Sequence, residues 1–91
     1  MSAKVTKQLT VINKLGIHAR PAALFVKVAG KFASDIHVEK DGETINGKSI
    51  MGLMMLAAGQ GSQLRITAEG RDAEAALKAL EDLFQQKFNE D

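Results

Sequence analysis

A chain whose predicted strands each carry one apolar face must cover one side of its sheet and leave the other side in water. Residues 5–12 alternate in this way, with Val5, Leu9 and Val11 on one face. The same two-residue period returns at residues 36–38 and 64–68. Alternation of this kind is typical of antiparallel strands that are half buried. The pattern therefore predicts a sheet with helices on one side only.

Three segments between and after these strands have a helical period. From about Ala19 an apolar stripe begins, with Pro21 in the first turn and Gly30 near the end. Ser49 is placed to cap a short helix that runs through Leu56. Asp72 is placed to cap a last helix, whose inward positions are Ala76, Leu77, Leu80, Leu83, Phe84 and Phe88.

The pair Asp41-Gly42 favours a two-residue hairpin turn, so residues 43–46 are predicted to return as a third strand. The resulting order is βαββαβα. We therefore expect an α+β fold, an open-faced β-sandwich with a four-stranded antiparallel sheet covered on one face by three helices. The 91 residues fit one domain, 1–91. The uncovered face should carry several polar residues, Lys7, His37, Arg65 and Glu69.

Composition excludes several classes of protein. Twelve basic residues balance eleven acidic ones, and the aromatic residues are four phenylalanines, which argues against nucleic-acid binding. Cysteine is absent, so disulfides and thiolate chemistry are excluded. The two histidines lack clustered carboxylates and make a poor metal site. No glycine-rich nucleotide loop is present, and we expect no cofactor and no metal.

The sequence predicts a cytoplasmic protein that does not insert into membranes. Residues 1–8 lack the apolar core of a signal peptide. The longest mostly apolar stretch, residues 50–59, is well short of the roughly 18 residues that a membrane span needs.

The chemistry is concentrated in residues 16–23. His18 stands where a strand-to-helix connection ends, and the next residues begin the predicted helix. Amides at a helix start attract anions, and the nearest donors are those of Ala19 and Arg20. The Arg20 guanidinium adds a phosphate-binding group. These residues indicate a nucleophile beside an anion site, although the same pattern also fits a histidine that merely caps the helix.

A resemblance decides between these alternatives. The run Gly-Ile-His-Ala-Arg-Pro-Ala at positions 16–22 closely resembles the active-site motif of the histidine-containing phosphocarrier (HPr) family of the phosphoenolpyruvate-dependent phosphotransferase system. A second motif of that family, Asn-Gly-Lys-Ser-Ile-Met-Gly-Leu-Met, occupies positions 46–54. The resemblance covers essentially the whole chain and includes the order of its elements.

The resemblance implies roles for individual residues. His18 is the phosphoryl acceptor, through Nδ1, and Arg20 supports the phosphoryl group during transfer. Ser49 matches a serine that an ATP-dependent kinase phosphorylates in many bacteria. A serine at a helix start is more often only an N-cap, and the two roles are compatible.

Family members dock their partners on an exposed apolar patch. The matching residues are Ile50, Met51 and Met54, while Leu24 and Lys27 border the same surface. Lys27 and Lys48 would steer it toward acidic partners. Without the resemblance, a methionine-rich short helix would be interpreted as core packing. Methionine also suits a surface that accepts several partners.

The resemblance implies a carrier that is not itself an enzyme. Such a carrier would be loaded by phospho-enzyme I and would serve sugar-specific IIA components. Because carrier encounters are brief, we expect small interfaces and a monomer in isolation. HPr kinase/phosphorylase and a transcriptional regulator are further expected partners. A nitrogen-related or regulatory carrier that transports no sugar remains an alternative, as does a binding module without covalent chemistry. A stand-alone hydrolase is disfavoured, since the chain offers neither a general-base partner for His18 nor a cleft.

Overall fold

The computed structural model describes residues 3–89 and confirms the predicted order of elements. The strands are β1 (Ala3–Thr10), β2 (Asp35–Lys40), β3 (Glu43–Asn46) and β4 (Gln63–Gly70). The helices are α1 (Ala19–Ala29), α2 (Ile50–Met55) and α3 (Ala73–Gln85), followed by a short 3-10 turn at Lys87–Asn89. None of the helices within residues 3–89 has the length and apolar character needed to cross a membrane.

The four strands form one antiparallel sheet in the order β1-β4-β2-β3. The register places the apolar positions of neighbouring strands opposite each other, for example Val38 opposite Ile66. β2 and β3 are joined at Asp41 and Gly42, whose φ angles of 52° and 86° are both left-handed. This is the backbone that a two-residue hairpin requires and that glycine adopts without strain.

The helices cover one face of the sheet and bury the core between the two layers. α3 packs on β1 and β4, and α1 packs on α2 and α3. Phe25, Leu53 and Leu80 fill the helix side of this core, while Ile36 and Ile66 fill the sheet side. The uncovered sheet face is polar, as the alternation predicted.

One polar residue lies on the other face than expected. Lys7 alternates with Val5 and Leu9, and its ammonium group pairs with the Glu81 carboxylate of α3 at 2.8 Å. The prediction that Lys7 belongs to the solvated sheet face is therefore wrong. Lys7 remains exposed because its long side chain reaches past the edge strand to α3.

Asp72 also differs from its predicted role. It occupies the N-cap position of α3, but its side chain makes no capping hydrogen bond there. Its carboxylate instead accepts hydrogen bonds from the Ala33 amide at 2.8 Å, from the Ser34 amide at 2.9 Å and from the Ser34 hydroxyl. Asp72 thus ties the start of α3 to the connection between α1 and β2. Gly70 makes the close approach possible, since a Cβ there would lie 2.5 Å from Ser34 Oγ.

This clasp should make the stability of the fold depend on acid. The hydrogen bonds, that of the Ser34 hydroxyl first, lower the pKa of Asp72 from 3.8 to about 2. A carboxylate with a depressed pKa stabilises the fold above pH 3.8 and loses that contribution as the pH falls toward 2. We expect Asp72→Asn to be less stable than the wild type near pH 7. The difference between the two proteins should shrink across that acidic window.

Urea unfolding followed by circular dichroism over the same pH range measures this difference. Asp82→Asn is the matched control, because Asp82 is half exposed and, among residues 3–89, its carboxylate pairs with Lys78 of the same helix at 3.3 Å. If the free energies of unfolding of the wild type and Asp72→Asn changed in parallel with pH, the hydrogen bonds of Asp72 would not cause the acid dependence.

Candidate functional site

His18 stands at the N-cap of α1. Its backbone is extended, with φ −89° and ψ −166°, and His18 is half buried. The Ala22 amide donates to the His18 carbonyl at 3.0 Å, which is the first turn of the helix. The amides of Ala19 and Arg20 precede that bond and, like all first-turn amides, point out of the helix start. The imidazole therefore stands at the positive end of the α1 dipole.

The loop that delivers His18 to this position is held at several points. Buried Asn13 donates from Nδ2 to the Gly16 carbonyl at 2.8 Å. The Ile17 amide donates to the Ala58 carbonyl at 2.8 Å. Gly16 has a left-handed φ of +72°, and a Cβ there would lie 2.5 Å from the Ala58 oxygen. Only glycine fits this close approach, so the loop in front of His18 has little freedom to shift.

Arg20 completes the anion-binding geometry. It is exposed in the first turn of α1, two residues after His18. Pro21, the next residue, is buried and has no amide hydrogen to donate. Within residues 3–89 no group of three or more His, Cys, Asp or Glu side chains is arranged to hold a metal ion. The site suits transfer of an anionic group to or from an imidazole.

α2 packs on α1, and the residues that flank α2 contact the two ends of α1. At one end, Lys48 Nζ donates to the carbonyl of Phe32, just beyond the C-terminal end of α1, at 2.9 Å. At the other end, Ala58 accepts the hydrogen bond from Ile17, just before His18. α1 has 11 residues and is about 16 Å long. The C-terminal end of α2 therefore lies nearer His18, and Ser49 lies at the opposite end.

The side chains of α2 are divided between core and solvent. Leu53 is buried, whereas Met51 is 74% exposed and Met55 is 65% exposed. Ile50 and Met54 are also more than a third exposed. We call these four exposed residues the α2 surface. It includes the three predicted docking positions of this helix, and Met55 is an addition that the sequence argument did not select.

The three flanking positions predicted for docking have different environments. Lys27 is exposed on α1, as a steering charge must be. Leu24 is half buried and packs against the core. Lys48 is half buried, and its ammonium group is directed to the Phe32 carbonyl, which holds α2 against the end of α1. Of the two predicted steering lysines, Lys27 is thus the one that faces solvent.

Ser49 caps α2 as predicted. Its Oγ accepts a hydrogen bond from the Gly52 amide at 3.0 Å, and its backbone is extended. Gly52 leaves room for this cap, because a Cβ there would lie 3.3 Å from Ser49 Oγ.

Two exposed apolar residues near His18 were missed by the sequence argument. Leu15 is 75% exposed and Ile12 is 39% exposed, both in the loop that leads to His18. The sequence could have indicated the exposure of Leu15, because this apolar residue lies between β1 and α1, where neither strand nor helix periodicity would bury it. His37, by contrast, is exposed on the polar face of the sheet, opposite Thr67, as predicted.

Known proteins match this chain in sequence and in fold. The family model for the "PTS HPr component phosphorylation site" matches residues 5–86. The phosphocarrier protein HPr of Treponema pallidum is 52% identical over 87 residues, which are 96% of this chain and 99% of that protein. The crystal structure of HPr-C-His from Thermoanaerobacter tengcongensis superposes with a TM-score of 0.92 at 52% identity, covering 96% of this chain and 98% of that one.

Other relatives differ in name or assembly. The HPr-like protein Crh of Halalkalibacterium halodurans is 54% identical over 76 residues, which are 84% of this chain and 90% of that protein. An HPr from Thermoanaerobacter tengcongensis, crystallised as a dimer, has a TM-score of 0.75 at 54% identity, covering 90% of this chain and 97% of that one. The match along residues 5–86 and the shared architecture show that the chain belongs to the HPr family, the phosphocarrier proteins of the phosphotransferase system.

Proposed function

We propose that His18 accepts a phosphoryl group from phospho-enzyme I and passes it to a sugar-specific IIA component. The observation that carries the proposal is the imidazole at the start of α1 with Arg20 in the same turn. Neutral imidazole attacks phosphorus in line, so that one P–N bond forms on His18 as the P–N bond on the donor histidine breaks. Arg20 and the first amides of α1 balance charge on the phosphoryl oxygens.

A carrier must bind its cargo well enough to accept it and weakly enough to release it. A helix N-terminus stabilises a nearby anion by about 1 kcal/mol, which is a small part of the free energy of a phosphoryl bond. Pro21 removes one donor from the first turn and so limits this stabilisation. The site is built for reversible transfer between proteins, and the carrier acts in the cytoplasm as a monomer that meets each partner briefly.

Docking of these partners is assigned to the α2 surface together with Leu24 and Lys27. A partner whose own histidine reaches His18 must also cover the neighbouring end of α2, where Met54 and Met55 lie. Exposed methionines adapt to different partner shapes, which suits a carrier that alternates between a donor and several acceptors.

The intact mass of the protein tests this proposal directly. After incubation with phosphoenolpyruvate, Mg²⁺ and the cognate enzyme I, we expect one added phosphoryl group, which mild acid then removes. A protein that gains no mass while a known HPr is phosphorylated in the same tube would overturn the carrier function.

A second candidate is a regulatory module that binds partners without transferring a group. The similarity to Crh of Bacillus subtilis, a protein named for catabolite repression, favours a regulatory role. A nitrogen-related carrier that transports no sugar differs only in its acceptors. The mass measurement distinguishes the binding module from a carrier, because only a carrier gains a phosphoryl group. Adding purified IIA components distinguishes the nitrogen-related carrier, which would not pass its phosphoryl group to them.

We further propose that Ser49 is a regulatory phosphorylation site. A phosphate there adds a charge of about −1.5 to −2 at the start of α2, beside exposed Met51. This charge next to the α2 surface would disturb partner docking. Because Ser49 lies at the end of α2 away from His18, the geometry of His18 would stay unchanged.

Incubation with ATP and an HPr kinase/phosphorylase should therefore add one acid-stable phosphoryl group, and the Ser49→Ala variant should gain none. Ser62→Ala is the matched control, because Ser62 is also half buried and lies just outside β4. Removing the Ser49 cap should itself cost about 1 kcal/mol of stability, so both variants are compared below their unfolding transitions. Phosphorylation that persists in Ser49→Ala would place the site elsewhere.

A further inference from the structure

Two polar side chains are buried in the part of the chain between residues 3 and 89, Asn13 at 0% exposure and Ser34 at 1%. A buried polar group costs free energy unless it is hydrogen-bonded, so each of them calls for a structural reason. Ser34 has its reason in Asp72, which it helps to join to the end of α1. Asn13 lies elsewhere, in the loop that leads to His18, and its side chain is bonded within that loop.

Asn13 holds both backbone polar groups of Gly16. Its carbonyl accepts a hydrogen bond from the Gly16 amide at 3.2 Å, and its Nδ2 donates to the Gly16 carbonyl at 2.8 Å. The peptide group between Gly16 and Ile17 is thus held at its oxygen by Asn13. The same peptide group is held at its nitrogen by Ala58, whose carbonyl accepts from the Ile17 amide at 2.8 Å. The orientation of this planar unit is therefore fixed at both ends.

The glycine at position 16 makes such a hold necessary. A Cβ does not fit there, because it would lie 2.5 Å from the Ala58 oxygen. Glycine is also the residue whose backbone rotates most freely, so the close approach to Ala58 leaves a peptide that can turn easily. The Asn13 amide counters this freedom, since the Gly16 carbonyl loses a buried hydrogen bond if the peptide rotates.

The held peptide is close enough to His18 to set its direction. Ile17 is the residue between them, and its side chain is buried in the core at 6% exposure. Because its amide and its side chain are both fixed, Ile17 leaves the Cα of His18 little freedom. In-line transfer needs the imidazole aimed at phosphorus, and a displacement of about 1 Å in such a geometry can lower the rate by about 10²-fold.

We propose that Asn13 is a positioning residue for phosphoryl transfer, and that its side-chain amide fixes the direction of the His18 imidazole through the Gly16–Ile17 peptide. The inference rests on the proposed function and adds to it a residue that acts only through the loop. Asn13 is fully buried, so a docked partner does not reach it. Its loss should slow transfer and leave the binding of enzyme I unchanged.

Single-turnover transfer separates these two effects. Phospho-enzyme I is mixed with increasing concentrations of the carrier, which gives a maximal transfer rate and a half-saturating concentration. We expect Asn13→Leu, which fills the space without a donor, to lower the maximal rate about tenfold and to change the half-saturating concentration by less than about twofold. Asn13→Ala should behave in the same way, and it carries the test if Asn13→Leu does not fold.

Ser34→Ala is the matched control. It removes a hydrogen bond of the other buried polar residue, which lies beyond the end of α1 opposite to His18. This variant should lose stability and keep the wild-type maximal rate. An equal loss of rate in Ser34→Ala would overturn the proposal, because the effect would then follow from stability alone.

The NMR signals of the imidazole rings give a second readout, one that does not depend on enzyme I. In both Asn13 variants the ring signals of His18 should shift or broaden, while those of His37, on the polar face of the sheet, should stay unchanged. A wild-type maximal rate in both Asn13 variants would overturn the proposal, and a raised half-saturating concentration alone would make Asn13 part of docking instead. If the wild-type protein accepts no phosphoryl group, it is the proposed function that fails, and the ring signals still decide whether Asn13 positions His18.

Discussion

Replacing His18 with alanine should abolish phosphorylation by enzyme I and leave the fold intact. The imidazole is the group at the start of α1 that can form a P–N bond, because the side chains of Ala19 and Pro21 have no nucleophile and the delocalised Arg20 guanidinium is a poor one. His18 is half buried at a helix end and is not part of the apolar core, so its loss should change stability by less than about 1 kcal/mol. Intact mass after incubation with phosphoenolpyruvate and enzyme I measures the effect.

The second histidine supplies the matched control. His37 is exposed on the polar face of the sheet, away from the helix layer that carries His18. His37→Ala should be phosphorylated at the wild-type rate, to one phosphoryl group. An acid-labile phosphoryl group on the His18→Ala variant would contradict the assignment. If that group were on His37, the variant that lacks both histidines would not gain it.

Arg20→Ala separates anion binding from nucleophilic attack. The nucleophile remains, so the protein should still be phosphorylated, but more slowly. Loss of one charged hydrogen-bonding group from a transition state commonly lowers the rate by about 10²-fold or more. A variant that is loaded as fast as the wild type would show that the amides of α1 are sufficient to bind the phosphoryl oxygens.

The features that could be predicted from the sequence depend on neighbouring residues. The alternation in β4 and the helical stripe of α1 reflect the periods of the backbone itself. The turn at Asp41 and Gly42 and the Ser49 cap each involve a few consecutive residues, and all are found in the structure. His18 at the start of a helix belongs to the same group, because Pro21 marks the first turn.

The features that could not be predicted involve residues far apart in the chain. Asp72 is a good N-cap residue by type, yet its carboxylate is bonded to Ser34, 38 residues away. Nothing local distinguishes the two outcomes, since both satisfy the carboxylate with backbone and hydroxyl donors. The placement of α2 along α1 is equally non-local, and it is this placement that brings Met54 and Met55 to the same end of the molecule as Leu15 and His18.

Phe88 shows how a correct burial prediction can rest on the wrong backbone. Helical spacing from Phe84 predicted that Phe88 faces inward on the last helix, and it is fully buried. However, α3 ends at Gln85, and residues 87–89 form a turn with φ of 55°, 54° and 61°. A left-handed run without glycine leaves no sequence signal, since such a conformation is unfavourable for lysine and phenylalanine. Burial of the Phe88 ring offsets the cost of this backbone.

Phe88→Ala should therefore be the most destabilising substitution considered for this protein. The Phe88 ring lies 4.9 Å from that of Phe84, which in turn lies 6.2 Å from Phe25 of α1. Truncating a buried phenylalanine typically costs 3–5 kcal/mol, on the order of half the stability of a small domain. We expect a value near 3 kcal/mol, because an alanine variant can release the left-handed turn and recover part of its backbone strain. Urea unfolding at neutral pH measures the difference.

Two comparisons separate ring packing from backbone strain. Phe88→Leu keeps an apolar side chain in the same space and should lose less than half as much stability. Lys87→Gly relieves the left-handed φ at the preceding residue and should be neutral or slightly stabilising. Phosphorylation of His18 should be unchanged in all three variants while they are folded, because the turn packs against α3. If Phe88→Ala cost less than about 1 kcal/mol, the ring would not be holding the turn in place, and the left-handed backbone at residues 87–89 would need another cause.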